Sequence, residues 1–279
     1  MRALPPFTSR RHLPAKLDRL RALDGRNAAR VRGPGTEFDS LREYVAGDDV
    51  RSIDWRATAR ADEVMVRTWR PERDRHVLLV LDTGRTAAGR VGDGTRLDTA
   101  MDAALLLAAL ASRAGDRVEL LAYDREVRAG VSGVSGSSVL PGLVEAMAPL
   151  TPRLVESDAR GMVSEILRRT RRRSLVVLLT GLDPAPLQEG LLPVLPSLTV
   201  RHRLLVAAVA DPEVARLAHG RGDADAVYGA AAAERTLAER RHVTALLARH
   251  GTEVVDAVPD ELAPALADRY LTLKARGHL

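Results

Sequence analysis

From residue 76 onward the chain alternates two kinds of apolar pattern. Residues 76–81 (HVLLVL), 117–123 (RVELLAY), 174–180 (SLVVLLT) and 203–209 (RLLVAAV) are short, nearly continuous apolar runs that read as buried strands. Between them, apolar residues recur at helical spacing over 97–112, 139–148, 158–170, 187–195, 231–250 and 261–275, and 253–255 reads as a last short strand. Gly115 stops the first of these helices. Apolar strands alternating with helices predict a mostly parallel sheet covered on both faces, an α/β fold. The longest apolar run, 103–111, is flanked by Asp102 and Arg113 and is far below the roughly 20 residues of a spanning helix, so it predicts a buried helix.

Before residue 76 the pattern is different. Leu13, Leu17 and Leu20 stand at helical spacing within a basic, proline-bounded leader, which predicts a short amphipathic helix there. Residues 37–75 are polar, with a turn cluster at Gly47-Asp48-Asp49. The alternation in 51–55 puts Ile53 and Trp55 on one face and predicts a strand, and 64–69 predicts a second. The domain expectation is a basic leader (1–35), an arm packed on the core (36–75) and an α/β body (76–279).

Composition narrows the chemistry. Among 279 residues, 46% are hydrophobic but only 3% aromatic, so the core is built from Ala, Leu and Val, and ring-stacking platforms are disfavoured. There is no cysteine, which excludes thiol catalysis and thiolate metal sites and suits a reducing compartment. The net charge is +5, and only Lys16 and Lys274 among the basic residues are lysines. Nine bases against two acids give residues 1–35 a surplus of seven, which leaves the remainder at −2. The positive charge is therefore expected in the leader, where it could meet an anionic membrane surface or, less favoured, nucleic acid. No signal peptide is visible, and a cytoplasmic address, with peripheral association to the inner membrane face, is expected.

In an open α/β sheet, ligands bind beyond the carboxyl ends of the strands. The first core strand ends in Asp82-Thr83-Gly84-Arg85-Thr86, and the strand over 174–180 ends in Thr180-Gly181-Leu182-Asp183. The first loop resembles the Asp-x-Ser-x-Ser motif of von Willebrand factor A domains. The flanking block carries Gly35-Thr36-Glu37-Phe38, Leu41-Arg42-Glu43-Tyr44, Gly47-Asp48-Asp49-Val50-Arg51, Ile53-Asp54-Trp55-Arg56-Ala57-Thr58-Ala59-Arg60 and Glu72-Arg73-Asp74. With Gly115-Asp116-Arg117-Val118 later on, it resembles the signature of the domain-of-unknown-function family 58 (DUF58).

That resemblance implies a von Willebrand factor A-like sheet. It also implies a non-enzymatic adaptor working with a MoxR-type AAA+ ATPase on a client protein, and a Mg²⁺ site. The metal motif is degenerate here. Gly84 replaces its first serine and Gly181 the aspartate of the second loop, leaving Asp82, Thr86, Ser157 and Asp183 as the expected ligands. In the signature block, Glu37, Arg42, Tyr44, Gly47, Asp48, Asp49, Arg51, Asp54, Trp55, Arg56, Thr58 and Arg60 form either an internal arginine–carboxylate network anchored by Trp55 or a partner-docking face.

The rival reading is a haloacid-dehalogenase-like phosphotransferase, whose Asp-x-Asp-x-Thr motif is nearly met at Asp82. Against it, Gly84 stands where the general acid belongs, and no lysine lies between Lys16 and Lys274. The Gly130/Gly133/Gly136 loop lacks the Lys of a Walker loop, no histidines stand four apart as a zinc helix requires, and Arg221-Gly222-Asp223 reads as a turn.

Overall fold

The apolar runs become the centre of a six-stranded sheet in the computed structural model, which describes residues 4–30, 37–61, 63–70, 75–134 and 136–277. The chain divides into two units, Met1–Arg19 with Arg75–Leu279 and, separately, Leu20–Asp74. The division falls inside the amino-terminal helix α1 (Leu13–Arg30), which the leucine spacing predicted.

In the smaller unit, β1 (Glu37–Glu43) pairs antiparallel with β2 (Met65–Arg70), with a bulge between Phe38 and Ser40. The strand expected over 51–55 does not form. Val50–Ser52 is a 3₁₀ turn and α2 (Trp55–Thr58) a short helix, and only Ile53 makes a bridge, to Val66. The reason is local. The Asp49 side chain accepts from the Arg51 N–H, and the Asp54 side chain accepts from the Arg56 and Ala57 N–H groups, so two aspartate caps outcompete the period-two pattern.

In the larger unit, β3 (His76–Asp82) is followed by a two-residue ribbon, β4 (Arg90–Val91) with β5 (Gly94–Thr95), and then α3 (Arg96–Arg113). There follow β6 (Arg117–Tyr123), β7 (Val127–Val131), α4 (Val139–Met147), α5 (Ala159–Arg169), β8 (Leu175–Leu179) and α6 (Leu195–Thr199). The rest is β9 (Arg203–Val209), α7 (Pro212–Leu217), α8 (Ala224–Arg249), β10 (Glu253–Ala257) and α9 (Pro259–Ala275). The strand order is β10-β9-β8-β3-β6-β7, parallel throughout except for the edge strand β7. This is an α/β fold with a mostly parallel central sheet between two layers of helices. The chain leaves β3 for β6 on one side and later returns to β8 on the other, so the direction of winding reverses at β3.

Both faces of the central strands are buried, which is why they lack alternation. Leu78, Val80, Val176, Leu178, Leu204 and Val206 meet α5, α6 and α8 on one face. On the other lie α3 and α9, packed on each other. Ala103–Ala111 of α3 is buried all round, as its unbroken apolar run predicted. A capping box of Thr95 and Asp98 starts that helix.

Two expected elements changed. The helix over 187–195 is instead a wide π-type turn (Pro186–Leu191) followed by α6, because prolines at 193 and 196 interrupt the backbone ladder. Gly130 lies inside β7 instead of a free loop. Among the described residues, no helix is long and apolar enough to cross a membrane.

Candidate functional site

The loops after β3 and β8 converge where the strand order reverses, the usual ligand crevice of such sheets. Asp82, the last residue of β3, is nearly buried there. Its Oδ1 accepts from the Gly84 N–H (2.9 Å) and the Ser157 hydroxyl (2.5 Å). Its Oδ2 accepts from the Thr180 hydroxyl (2.6 Å) and the Thr86 hydroxyl (3.3 Å). A carboxylate offers about four acceptor positions, and here four protein donors fill them. The result fastens three loops to one strand end.

The two departures from the metal motif are sterically consistent with that knot. A Cβ on Gly84 would lie 2.2 Å from Ser157 Oγ and 2.8 Å from the Val155 carbonyl. A Cβ on Gly181 would lie 2.3 Å from Asp183 Oδ2 and 3.2 Å from Thr86 Cβ. Each glycine makes room for a polar side chain beside it. Gly84→Ala is therefore expected to lower stability by roughly 1–3 kcal/mol. Adding Ser157→Ala should return only part of it, because the Val155 carbonyl stays in the way. Thermal unfolding of the two variants checks this.

Of the four expected ligands, the structure brings Asp82, Thr86 and Ser157 together. Asp183 instead faces Arg96, whose Nη1 is 3.4 Å from its Oδ2. Thr180 and Arg96 belong to this site although the expected set omitted them. Arg96 and Asp82 line one small pocket with Thr180 and Gly181. A signal for Arg96 exists in the sequence, since a cation in the first turn of a helix opposes the helix dipole and needs a local reason. A hard divalent cation takes six or so oxygens and favours carboxylates. This pocket offers one carboxylate already saturated by donors and a resident positive charge, and Asp183, outside its lining, is drawn to that guanidinium. These residues do not fit a resident Mg²⁺, and among the described residues no group of three His, Asp or Glu could hold a metal.

A second carboxylate stands nearby in the β6–β7 turn. Asp124 is fully buried and accepts from the Arg125 and Glu126 N–H groups, the Thr83 hydroxyl and Arg128 Nη1 (2.8 Å). Burial pushes its carboxyl up, but the Arg128 guanidinium and the backbone donors outweigh that and hold it below the usual carboxylate range. It too is a structural anchor: its side-chain hydrogen bonds go to its own hairpin and to the loop after β3, and Arg153 (3.8 Å) and the Asp158 N–H, on its backbone carbonyl, tie the segment before α5 to it.

In the smaller unit the signature residues separate into two groups. Arg42 forks onto Asp48 (2.6 and 2.8 Å), and Asp48 also accepts from the Val45 N–H, closing a turn in which Gly47 takes φ 110°. Asp54 accepts from Arg67 Nε (2.7 Å), and that guanidinium with the cap donors holds its carboxyl below the usual range. The Thr58 hydroxyl oxygen accepts from the Met65 N–H. The second group faces outward. Trp55 is 70% exposed, a correction to its expected role as an anchor. Arg51, Arg56 and Arg60 are exposed and have no side-chain partner among the described residues, so the expected network is confined to Arg42 and Asp48, with Arg67 on Asp54. Tyr44 is 37% exposed. Asp49 serves as the cap described above. Glu37 pairs through its backbone with Arg70, and its side chain lies outside the described residues, as do Gly35, Thr36, Glu72, Arg73 and Asp74.

Arg221-Gly222-Asp223 is a turn, with the Asp223 side chain capping α8 through the Ala226 N–H.

The sequence pattern of the family described as "Protein of unknown function DUF58" matches residues 40–247. The uncharacterized proteins Rv1480 of Mycobacterium tuberculosis H37Rv and Mb1516 of Mycobacterium bovis are each 28% identical over 193 residues. The match takes in 68% of this chain and 60% of each relative's length. Among solved structures, the PilB minor pilin from Streptococcus sanguinis aligns with TM-score 0.48 and 12% identity over 77% of this chain and 64% of its own. BatB from Bacteroides thetaiotaomicron aligns with TM-score 0.47 and 13% identity over 71% and 98%. The SpRpn10 VWA domain aligns with TM-score 0.40 and 11% identity over 70% and 94%.

Proposed function

Because the chain belongs to the DUF58 family, we propose that it is a non-enzymatic protein-interaction module whose docking face is the outward half of the signature block. The observation that carries this reading is Trp55, 70% exposed beside Arg51, Arg56 and Arg60, none of which is used in an ion pair within the described residues. Exposed tryptophan with unspent arginine is the composition of interface hot spots. Leaving such a ring in water has a cost that burial against a partner removes. The other half of the block, the Arg42–Asp48 fork and the Asp54 cap, holds this face in shape.

The partner implied by the family resemblance is a MoxR-type AAA+ ATPase, with a client protein delivered to it. The closed Asp82 knot supports a binding role over phosphoryl transfer, since a carboxylate with four donors has no lone pair turned towards a substrate. The test is capture of the ATPase by the purified chain, with and without ATP, comparing wild type with Trp55→Ala and Arg56→Glu. Each variant is expected to stay folded and to lose at least about tenfold in affinity. Equal retention by both variants, or no ATPase bound by the wild type, would sink the proposal. An artificial aryl phosphate should not be turned over.

A further inference from the structure

The leader was the expected seat of the positive charge, yet its described cations are largely spent. Lys16 Nζ and Arg19 Nη1 both reach Asp268 (2.6 and 2.5 Å), and Arg11 lies 3.8 Å from Asp260. Unspent charge gathers instead at the amino-terminal ends of the parallel strands, opposite the Asp82 loops. Val77 of β3 is level with Leu175 of β8, which is level with Arg203 of β9. Just before these strands stand Arg75, Arg173 and Arg201, and the Arg203 N–H on the Ser174 carbonyl (2.9 Å) with the Thr170 hydroxyl 3.2 Å from His202 Nε2 holds the segments that carry Arg173 and Arg201 next to each other. Arg171 and Arg172 precede Arg173 in the loop between α5 and β8.

The acids at this end are already committed. Arg168 and Arg169 grip Glu165 and hold its carboxyl at about 2. Glu119 faces Arg117 (3.4 Å) and His76 (3.5 Å). Glu253 is shared by Arg203 and Arg269. Asp116 is taken by Lys274 and Tyr270, and it also feels Arg75. Arg171, Arg172, Arg173 and Arg201 are exposed and have no acidic partner among the described residues. Like charges held side by side repel. The last turns of α5 and α6 offset some of this through their dipoles, but they leave four exposed cations at this end, and Val200, next to Arg201 in the chain, is 84% exposed.

We propose that this end of the sheet docks on an anionic phospholipid bilayer, with these four arginines on headgroup phosphates and Val200 inserted alongside. Phosphate suits the planar guanidinium fork. A projecting aliphatic side chain next to a cation suits a lipid surface, where it finds an apolar layer below the phosphates. A nucleic acid offers no such layer to Val200, and among the described residues this end exposes no large aromatic ring on which a base could stack.

The probe is sedimentation of the full chain with phosphatidylcholine vesicles, pure or containing about one third phosphatidylglycerol. Binding is expected only with the anionic lipid, and it should fall steeply as salt rises from about 0.05 to about 0.3 M. Each arginine near an anionic surface contributes about a fivefold change in partition, so losing three charges costs about a hundredfold and R171E/R172E/R173E should weaken binding by at least that much. The milder R171Q/R172Q/R173Q serves if the charge reversal does not fold, and Val200→Asp should also weaken binding. R241E/R276E changes net charge as much as a double reversal at this end and should have little effect by comparison. The proposal is overturned by absence of binding, by a triple variant that binds like wild type, by R241E/R276E weakening binding as much as R171E/R172E, or by tighter binding to a DNA duplex than to vesicles at the same salt.

Discussion

Replacing Asp82 by alanine is expected to lower stability by roughly 2–4 kcal/mol, because one buried carboxylate satisfies three hydroxyls and one backbone N–H at the same time. In a domain of this size that corresponds to a fall of about 5–15 °C in Tm. The cost comes from the donors left behind. Ser157 and Thr180 arrive from loops 75 and 98 residues away in sequence and have no equivalent acceptor once the carboxylate is gone. Asp82→Asn keeps one oxygen and should cost less. Neither Mg²⁺ nor EDTA should move the wild-type Tm, since the pocket already holds the Arg96 guanidinium and its single free-standing acid is saturated. A rise of several degrees with millimolar Mg²⁺ or Mn²⁺, lost in Asp82→Ala, would instead mean that the hydroxyls serve a cation.

Lys274→Met should be at least as damaging, by about 3–5 kcal/mol. Asp116, in the turn between α3 and β6, has a fully buried side chain, with Lys274 Nζ 2.6 Å from one oxygen and the Tyr270 hydroxyl 2.5 Å from the other. Burial pushes the Asp116 carboxyl up and the ammonium opposes it, so the pair is held by a cation that methionine cannot replace. The sign with pH follows. Without the lysine the folded-state value rises further above the unfolded one, so the folded state favours the protonated acid. The deficit is then largest at neutral pH and shrinks as pH falls towards the ordinary carboxylate range. Denaturant unfolding of wild type and variant at about pH 5 and about pH 8 measures it. Asp116→Asn added to Lys274→Met should recover part of the loss; a double variant no better than the single one would remove the lysine–aspartate pair as the cause. These residues join the last helix to the start of a central strand, so the effect should appear as global unfolding.

Both predictions depend on residues whose roles differ in how far the sequence reveals them. Asp82 was legible, because a carboxylate ending a buried strand at the switch point of an α/β sheet has few alternatives. Thr86 was named only through the resemblance of its loop to the Asp-x-Ser-x-Ser motif. Arg96 and Thr180 completed the site only when α3 and β8 were placed. In the smaller unit the sequence could say that arginines and carboxylates were interleaved but not which would pair. Arg42 chose Asp48, Asp54 chose Arg67 across the hairpin, and Arg51, Arg56 and Arg60 were left outside.

What the sequence determined by itself is what physics settles within a few residues. Continuous apolar runs made the strands β3, β6, β8 and β9, the unbroken alanine–leucine stretch made the buried α3, and aspartate caps decided the turn around Trp55, where a period-two reading failed because local hydrogen bonds are stronger than a two-point pattern. The tertiary structure alone decided which distant charges meet. Parallel strands are joined by crossovers of a dozen residues or more, so side chains level in the sheet are far apart in the chain. That is how Asp268 of α9 came to neutralise the leader's Lys16 and Arg19, and how the segments carrying Arg173 and Arg201 came to meet with no acidic partner for either among the described residues.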